Sequence, residues 1–438
     1  MKKRILWIVN IMLPEIAQKL GMDYSPREGW LSGVFAKMTA DNPDYELGVA
    51  FPTSDGAMCE CDSGCRIIDV RGIKCYPFFE DLLHPEIYDS GLEDRLDRIM
   101  SDFNPDLVHI FGTEFPHGLA AATVFGESKK TLVGLQGLCG RIARDYMADI
   151  PLRVQRQVTL RDFLKKDSLA DQKKKFLLRG ENERKLIEKA GYVTGRTSFD
   201  KEETMRINSD CIYLPMNETM RAGFYDGEWD YASVDKHTLF TGQGDYPIKG
   251  FHFLIEAMGM LVKKYPDICL RIAGNSIIET KTLKDRLKAP AYGKYLRKLI
   301  KKNNLSGHIE VLGMLPEEEM KENYLKSSVY VLPSYIENSP NTLAEAMLLG
   351  MPVVASMAGG IPDMISKEEG WTVPRGDAWA IFEAVDEIWT KMETEPSYIF
   401  DKCQKARVRA HKAHDSETNY MRLMEIYAGI DSDKEDRK

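Results

Sequence analysis

A chain of 438 residues, 43% hydrophobic and 29% charged, has the makeup of a globular protein long enough for two domains. Its net charge of −8 argues against a nucleic-acid polyanion as the main partner. No apolar run approaches the ~18 residues that a bilayer span needs, so the expected setting is cytoplasmic, with association at the inner face of a membrane left open.

The first apolar run, RILWIVN, resembles the core of a signal peptide, but Asn10 interrupts it and Pro14 and Glu15 follow. It is read as a first buried strand. ELGVAF, DLVHIF, TLVGL, GYVTG and CIYLP are the next strands expected, followed by HTLFTG, ICLRIAG, IEVLG, VYVLPS, MPVVAS and GWTVP. Several are continuous apolar runs, as parallel strands buried on both faces require. Between the second and third strands, MCECDSGCRIIDVRGIKC holds Cys59, Cys61, Cys65 and Cys75, half of the eight cysteines. Their spacing does not suit a zinc site, and a hairpin region with reduced thiols is expected. Residues 161–190 are charged and helical with a basic excess. One reading is a surface for anionic lipid; the plainer one is a solvated helix, because acids are interleaved.

Helical periods separate the strands. In GFHFLIEAMGMLVKKYP, Phe251, Leu254, Ile255, Met258 and Val262 share a face. Strand–helix alternation repeated twice predicts an α/β protein of two doubly wound, Rossmann-like domains. The expected boundaries are 1–216 for the first domain, 217–236 for a polar linker and 237–405 for the second domain. Residues 406–438 are expected to form a helix crossing back to the first domain, ending in a disordered tail, DSDKEDRK.

Open parallel sheets bind ligands at the carboxyl ends of their strands. After HTLFTG, the sequence GQGDYP has Pro247 where a dinucleotide fingerprint needs a third glycine, and a Walker phosphate loop is lacking. Lys249 stands at the start of the following helix, where dipole and lysine together suit a phosphate; an exposed loop lysine is the alternative. The segment YIENSPNTLAEAMLLG sets Glu337 and Glu345 eight positions apart. Ser339 reads as an N-cap with Pro340 at the first helical position, leaving the amides of Asn341 and Thr342 as phosphate donors. Carboxylates do not suit a diphosphate, but they accept hydrogen bonds from vicinal hydroxyls. Amides between two acids therefore fit a diphosphate flanked by two sugars. For two acids alone, favouring the helix dipole would be the simpler explanation.

The wider segment VYVLPSYIENSPNTLAEAMLLGMPVVASMAGGIPDMI resembles the donor site of retaining family 4 glycosyltransferases of GT-B fold. The likeness runs through the E-x7-E pair, the EAMLLGMPVVAS run and the GGIPD loop. FTGQGDYPIKGFHFLIEAM, LRIAGN and PDLVHIFGTEFPHGLA carry weaker likeness. The resemblance implies two Rossmann-like domains facing across a cleft, with the acceptor on the first domain and the donor on the second. It implies that Glu337 approaches the donor sugar and that Glu345 holds the ribose hydroxyls. Ser339, Asn341, Thr342 and Lys249 would bind sugar and diphosphate, and Gly29 would close on the phosphates. The family's first-domain histidine matches His117 or His109. Gln243 occupies the neighbourhood where relatives carry an arginine, a loss that Arg196 could offset from the acceptor side. Pro340 replaces a glycine and removes an amide.

The implied reaction transfers a hexosyl group from a UDP-, GDP- or ADP-sugar to a hydroxyl of a glycan or lipid-linked acceptor, in polysaccharide or glycoconjugate synthesis. Configuration at the anomeric carbon is retained. The catalytic set is Glu337, Lys249 and His117. No cofactor and no metal are expected, since the sole Asp-x-Asp, Asp431-Ser432-Asp433, lies in the tail. The alternatives are a GT-B epimerase or phosphorylase, or a non-catalytic nucleotide-sugar-binding protein.

Overall fold

The computed structural model describes residues 2–22, 29–40, 45–59, 64–279 and 288–432. The chain divides into two compact units, one of residues 1–141, 175–220 and 414–438, the other of 142–174 and 221–413.

The first unit holds eight strands: β1 (Lys3–Ile8), β2 (Tyr45–Thr53), β3 (Ile68–Val70), β4 (Ile73–Phe79), β5 (Leu107–Phe111), β6 (Thr131–Gly134), β7 (Tyr192–Gly195) and β8 (Ile212–Pro215). Their order is β3-β4-β2-β1-β5-β6-β7-β8, parallel except for the β3–β4 pair. That pair is the hairpin expected beside the cysteines. Arg71 and Gly72, both with positive φ (54° and 82°), make its tight turn. The seven cysteines among the described residues are free thiols, whereas Cys61 lies outside them.

β1 shows why its sequence is apolar without alternation. Ile5 and Trp7 point into one core with the helix Ser416–Ser432, and Leu6 and Ile8 point into another with the helix Gly91–Phe103. Inside the first of these cores the Tyr427 hydroxyl accepts from Trp7 Nε1 at 2.9 Å and shares a hydrogen bond with His109 Nδ1 at 2.8 Å.

The second unit holds β9 (Asp235–Thr241), β10 (Cys269–Ala273), β11 (Ile309–Gly313), β12 (Ser327–Leu332), β13 (Val353–Ser356) and β14 (Trp371–Val373). The order is β11-β10-β9-β12-β13-β14, with every pairing parallel. The helix Phe251–Leu261 is buried on nearly all sides; Phe251, Leu254, Ile255 and Met258 lie in the core as expected, and Val262 is half-buried just past its end.

Three boundaries differ from the sequence reading. Residues 142–174 belong to the second unit, where Ala148 O meets His252 Nε2 at 2.9 Å and Asp162 accepts from the Ala291 amide at 3.1 Å. Residues 221–236 are part of that unit rather than a linker: Arg221 pairs with Glu345, and the Trp229 amide donates to Leu349 O at 2.8 Å. Their acids Asp226, Glu228 and Asp230 stay exposed, while Arg221 and Trp229 anchor the stretch inward. The return to the first unit begins at His414, not at 406. The stretch 161–190 is also two helices, Leu160–Lys165 and Leu169–Lys189, parted by Lys166 at φ 48°.

Replacing Tyr427 with Phe removes the hydroxyl and leaves the buried Trp7 indole N–H without its acceptor. The expected loss is about 1–3 kcal/mol, read as a lowered urea midpoint at unchanged m-value. An unchanged midpoint would refute this role for Tyr427.

Candidate donor site

The second sheet changes direction between β9 and β12. The chain runs outward from β9 through β10 to β11, then comes back to lay β12 on the other side. Such a reversal opens a crevice at the carboxyl ends of the two strands. Three loops reach it, following β9, β12 and β13.

Two glycines let these loops touch. Gly250 has φ 67°, and a Cβ there would lie 1.9 Å from Pro333 O. Gly359 has φ 56°, and its Cβ would lie 1.9 Å from Glu337 O. The Tyr335 amide donates to Ile248 O at 2.7 Å and the Gly360 amide to Glu337 O at 3.0 Å. A Cβ on Gly242 would lie 3.1 Å from Thr342 Cγ2, so the Gln243 loop abuts the start of the helix Asn341–Leu349.

This packing brings Lys249 and Glu337 together. Lys249 Nζ lies 2.7 Å from Glu337 Oε1, which also accepts from Ser334 Oγ at 2.8 Å. Both side chains keep some exposure, 24% for Lys249 and 12% for Glu337. Lys249 closes a short turn, Pro247–Lys249, directly before Gly250 and the helix Phe251–Leu261. Burial pushes the Asp245 carboxyl up, with Gln243, Asn275 and Lys249 drawing it back, and its buried Oδ1 has no partner among the described residues.

The helix after β12 starts one residue later than expected. Pro340 is the N-cap and its carbonyl accepts from Leu343 and Ala344, so Asn341 and Thr342 hold the first two helical positions. Ser339 therefore caps nothing. Its Oγ is buried and has no partner among the described residues. A ring at the N-cap fixes the chain's entry angle and frees the serine hydroxyl.

Glu345, one turn further, is 4% exposed. Arg221 holds its Oε1 through Nε at 2.8 Å and Nη2 at 2.6 Å, and Tyr324 OH stands 3.4 Å from Oε2. Burial raises the Glu345 carboxyl above the usual range, and Arg221 pulls it back. Arg221 escaped the sequence reading because it sits in the supposed linker. A lone cation in a polar stretch carries no periodic signal.

The first unit reverses direction as well, between β1 and β5. His117 lies there, on the helix Pro116–Phe125, with its side chain 1% exposed. Its Nδ1 meets Glu80 Oε2 at 2.7 Å and its Nε2 meets Asn10 Oδ1 at 3.1 Å. Asn10 Nδ2 donates in turn to Glu114 Oε2 at 3.2 Å. His117 thus bridges side chains, and both its nitrogens are engaged. In the sequence Asn10 only breaks the first apolar run, and nothing local marks it as a partner of His117.

The two acceptor-side candidates, His109 and Arg196, line one small pocket with Gln136 and Glu218. Burial drives His109 down to about 3, and its Nε2 has no partner among the described residues. Glu218 takes Arg196 Nη1 at 2.8 Å and Gln136 Nε2 at 2.6 Å. Gly29 opens the helix Gly29–Ala40, and residues 23–28 ahead of it lie outside the described set, as does Asp433.

The crevice at β9 and β12, its lysine–glutamate pair and its helix start all fall in one stretch of chain. Residues 232–399 match the family model Glycosyl transferases group 1. The amylovoran biosynthesis glycosyltransferase AmsK of Erwinia amylovora is 29% identical over 138 residues, 30% of this chain and 33% of that protein. The chain spans about a third of the length of the first curated relatives it matches. Among solved structures, sucrose-phosphate synthase from Thermosynechococcus elongatus aligns at TM-score 0.67 and 15% identity, covering 98% of this chain and 100% of that one. Anabaena HepE in complex with UDP and glucose aligns at 0.64 and 14% identity, with 98% and 100% covered. The fold is GT-B, built of two Rossmann-like domains.

Arg221→Ala strands a buried carboxylate and should cost about 3–5 kcal/mol at neutral pH. Because burial raises the Glu345 pKa, the native variant binds the proton more readily than the unfolded chain does. Its stability then rises as pH falls, so the deficit against the parent should shrink toward pH 5. Urea melts of both proteins across that range test this; a deficit that stays constant would contradict it.

Proposed function

We propose that the protein is a retaining glycosyltransferase that moves a hexosyl group from a nucleoside-diphosphate sugar to an acceptor hydroxyl in polysaccharide or glycoconjugate synthesis. The observation that carries this reading is the Lys249–Glu337 pair at the reversal of the second sheet, 2.7 Å apart and still partly exposed. Beside it lies the start of the helix Asn341–Leu349, with the buried, unpartnered Ser339 hydroxyl.

In this reading the diphosphate rests on Lys249, the Ser339 hydroxyl and the amides of Asn341 and Thr342, where dipole and donors favour negative charge. Glu337 orients the sugar hydroxyls, and the ligand's diphosphate takes over the lysine that Glu337 now holds. Glu345, fixed by Arg221 through one oxygen, offers the other to the ribose. As the bond from the anomeric carbon to the phosphate oxygen breaks, its electron pair stays on the leaving diphosphate, which Lys249 and the amides stabilise. The acceptor oxygen bonds to the anomeric carbon on the same face, and its proton passes to a departing phosphate oxygen. The solved structure of HepE with UDP supports a nucleoside-diphosphate ligand for this fold. The naming of AmsK as an amylovoran biosynthesis glycosyltransferase supports the biosynthetic setting. The burial of His117 favours a positioning role for it, with Asn10 and Glu80 as the groups it orients.

Thermal melts with UDP, GDP and ADP should single out one nucleotide, since a ligand at 100 times its Kd adds about 2.7 kcal/mol of stability. No shift with any of the three would count against the donor site. With the preferred donor, Lys249→Ala should lower kcat/KM by about a hundredfold, affecting kcat and KM together. Glu345→Ala should act mainly by raising the donor KM. Unchanged kinetics in either variant would overturn its assigned role.

A further inference from the structure

The short helix Leu160–Lys165 is built with its polarity reversed. Its inward anchor is an acid: Asp162 is 1% exposed, closes a capping box with Thr159 and accepts from the Ala291 amide. Its apolar residues face outward. Leu160, Phe163 and Leu164, at positions i, i+3 and i+4, share one side of the helix and are 62%, 72% and 72% exposed. Just before them, Leu152 is 64% and Val158 56% exposed. Five large apolar side chains within thirteen residues thus face solvent, although isolated exposed apolar residues are the norm.

The charges in this stretch are one-sided. Arg153, Arg156, Lys165 and Lys166 are exposed, and Arg161 is held by Asp162 and Asp167. The sole acid in residues 151–166 is Asp162, which is buried, while the whole chain carries −8. A basic, apolar surface on an acidic protein is complementary to a layer that is anionic at its face and apolar beneath. Asp162 and the buried Val154 already supply the inward contacts of this segment, so its exposed apolar side chains are not needed for the core.

We propose that residues 152–166 dock the protein on the surface of an anionic lipid bilayer. Phe163, Leu160, Leu164, Val158 and Leu152 enter the headgroup boundary, and the four exposed cations meet lipid phosphates. This docking does not depend on the donor-site reading, and its test needs no sugar substrate.

Flotation of the full chain with vesicles of phosphatidylcholine, with or without phosphatidylglycerol, tests it. Binding should be at least about tenfold stronger to the anionic vesicles and should weaken as salt rises. The triple variant L160S/F163S/L164S should lose about tenfold or more while keeping its melting temperature, because all three side chains are exposed. R153E/R156E should lose about fivefold or more per charge on anionic vesicles. Absence of binding to either vesicle, equal binding to both, or full binding by the triple variant would overturn the proposal. So would sedimentation that reveals, without lipid, a dimer of the parent chain that the triple variant abolishes, since the patch would then belong to a second copy.

Discussion

The wall of the candidate donor site depends on two backbone approaches that no side chain could survive. Gly250 lies against the carbonyl of Pro333, and Gly359 lies against the carbonyl of Glu337, each so close that a Cβ would stand 1.9 Å away. Both residues also adopt the left-handed conformation that glycine accepts without strain. Together they pull the loops after β9, β12 and β13 into one surface. The placement of Lys249 beside Glu337 follows from these approaches, because one flanks Gly250 and the other supplies the carbonyl that Gly359 meets. Any residue with a side chain at either glycine would part the loops and separate the pair.

That surface is polar by construction. Lys249 is balanced by Glu337 and Glu345 by Arg221. Each charge has a partner inside the protein, which limits the cost of holding ions in a partly dry crevice. A diphosphate entering there would exchange partners rather than meet bare charges. The first unit handles its own sheet reversal in a similar manner, tying Asn10, Glu80, Glu114 and His117 into one buried network. Polar chains of this kind hold geometry through several bonds at once.

Much of this was legible beforehand because the signals are local. All twelve strands read from apolar runs are present, since a strand buried on both faces must be apolar throughout, as the two-sided burial of β1 illustrates. The Lys249 turn and the helix following it were likewise readable from proline, lysine and glycine in sequence. The start of the helix after β12 was off by one residue, because Ser-Pro can cap in either register and only the Pro340 carbonyl's bonds decide it. Residues 221–236 were misread for a different reason. Their acids Asp226, Glu228 and Asp230 do face water, as those of a linker would, but Arg221 and Trp229 are anchored inward and hold the segment to the second unit.

The sequence by itself determined the two parallel sheets, the pair of acids eight residues apart and the lysine before a helix, because strand burial, capping and turn chemistry act between near neighbours along the chain. Only the tertiary structure decided who partners whom. Arg221 reaches Glu345 across 124 positions of chain, Tyr427 reaches Trp7 across 420, and Asn10 reaches His117 across 107. Such pairings leave no period in the sequence, since they are set by how strands order within a sheet and which loops that order brings to the same edge.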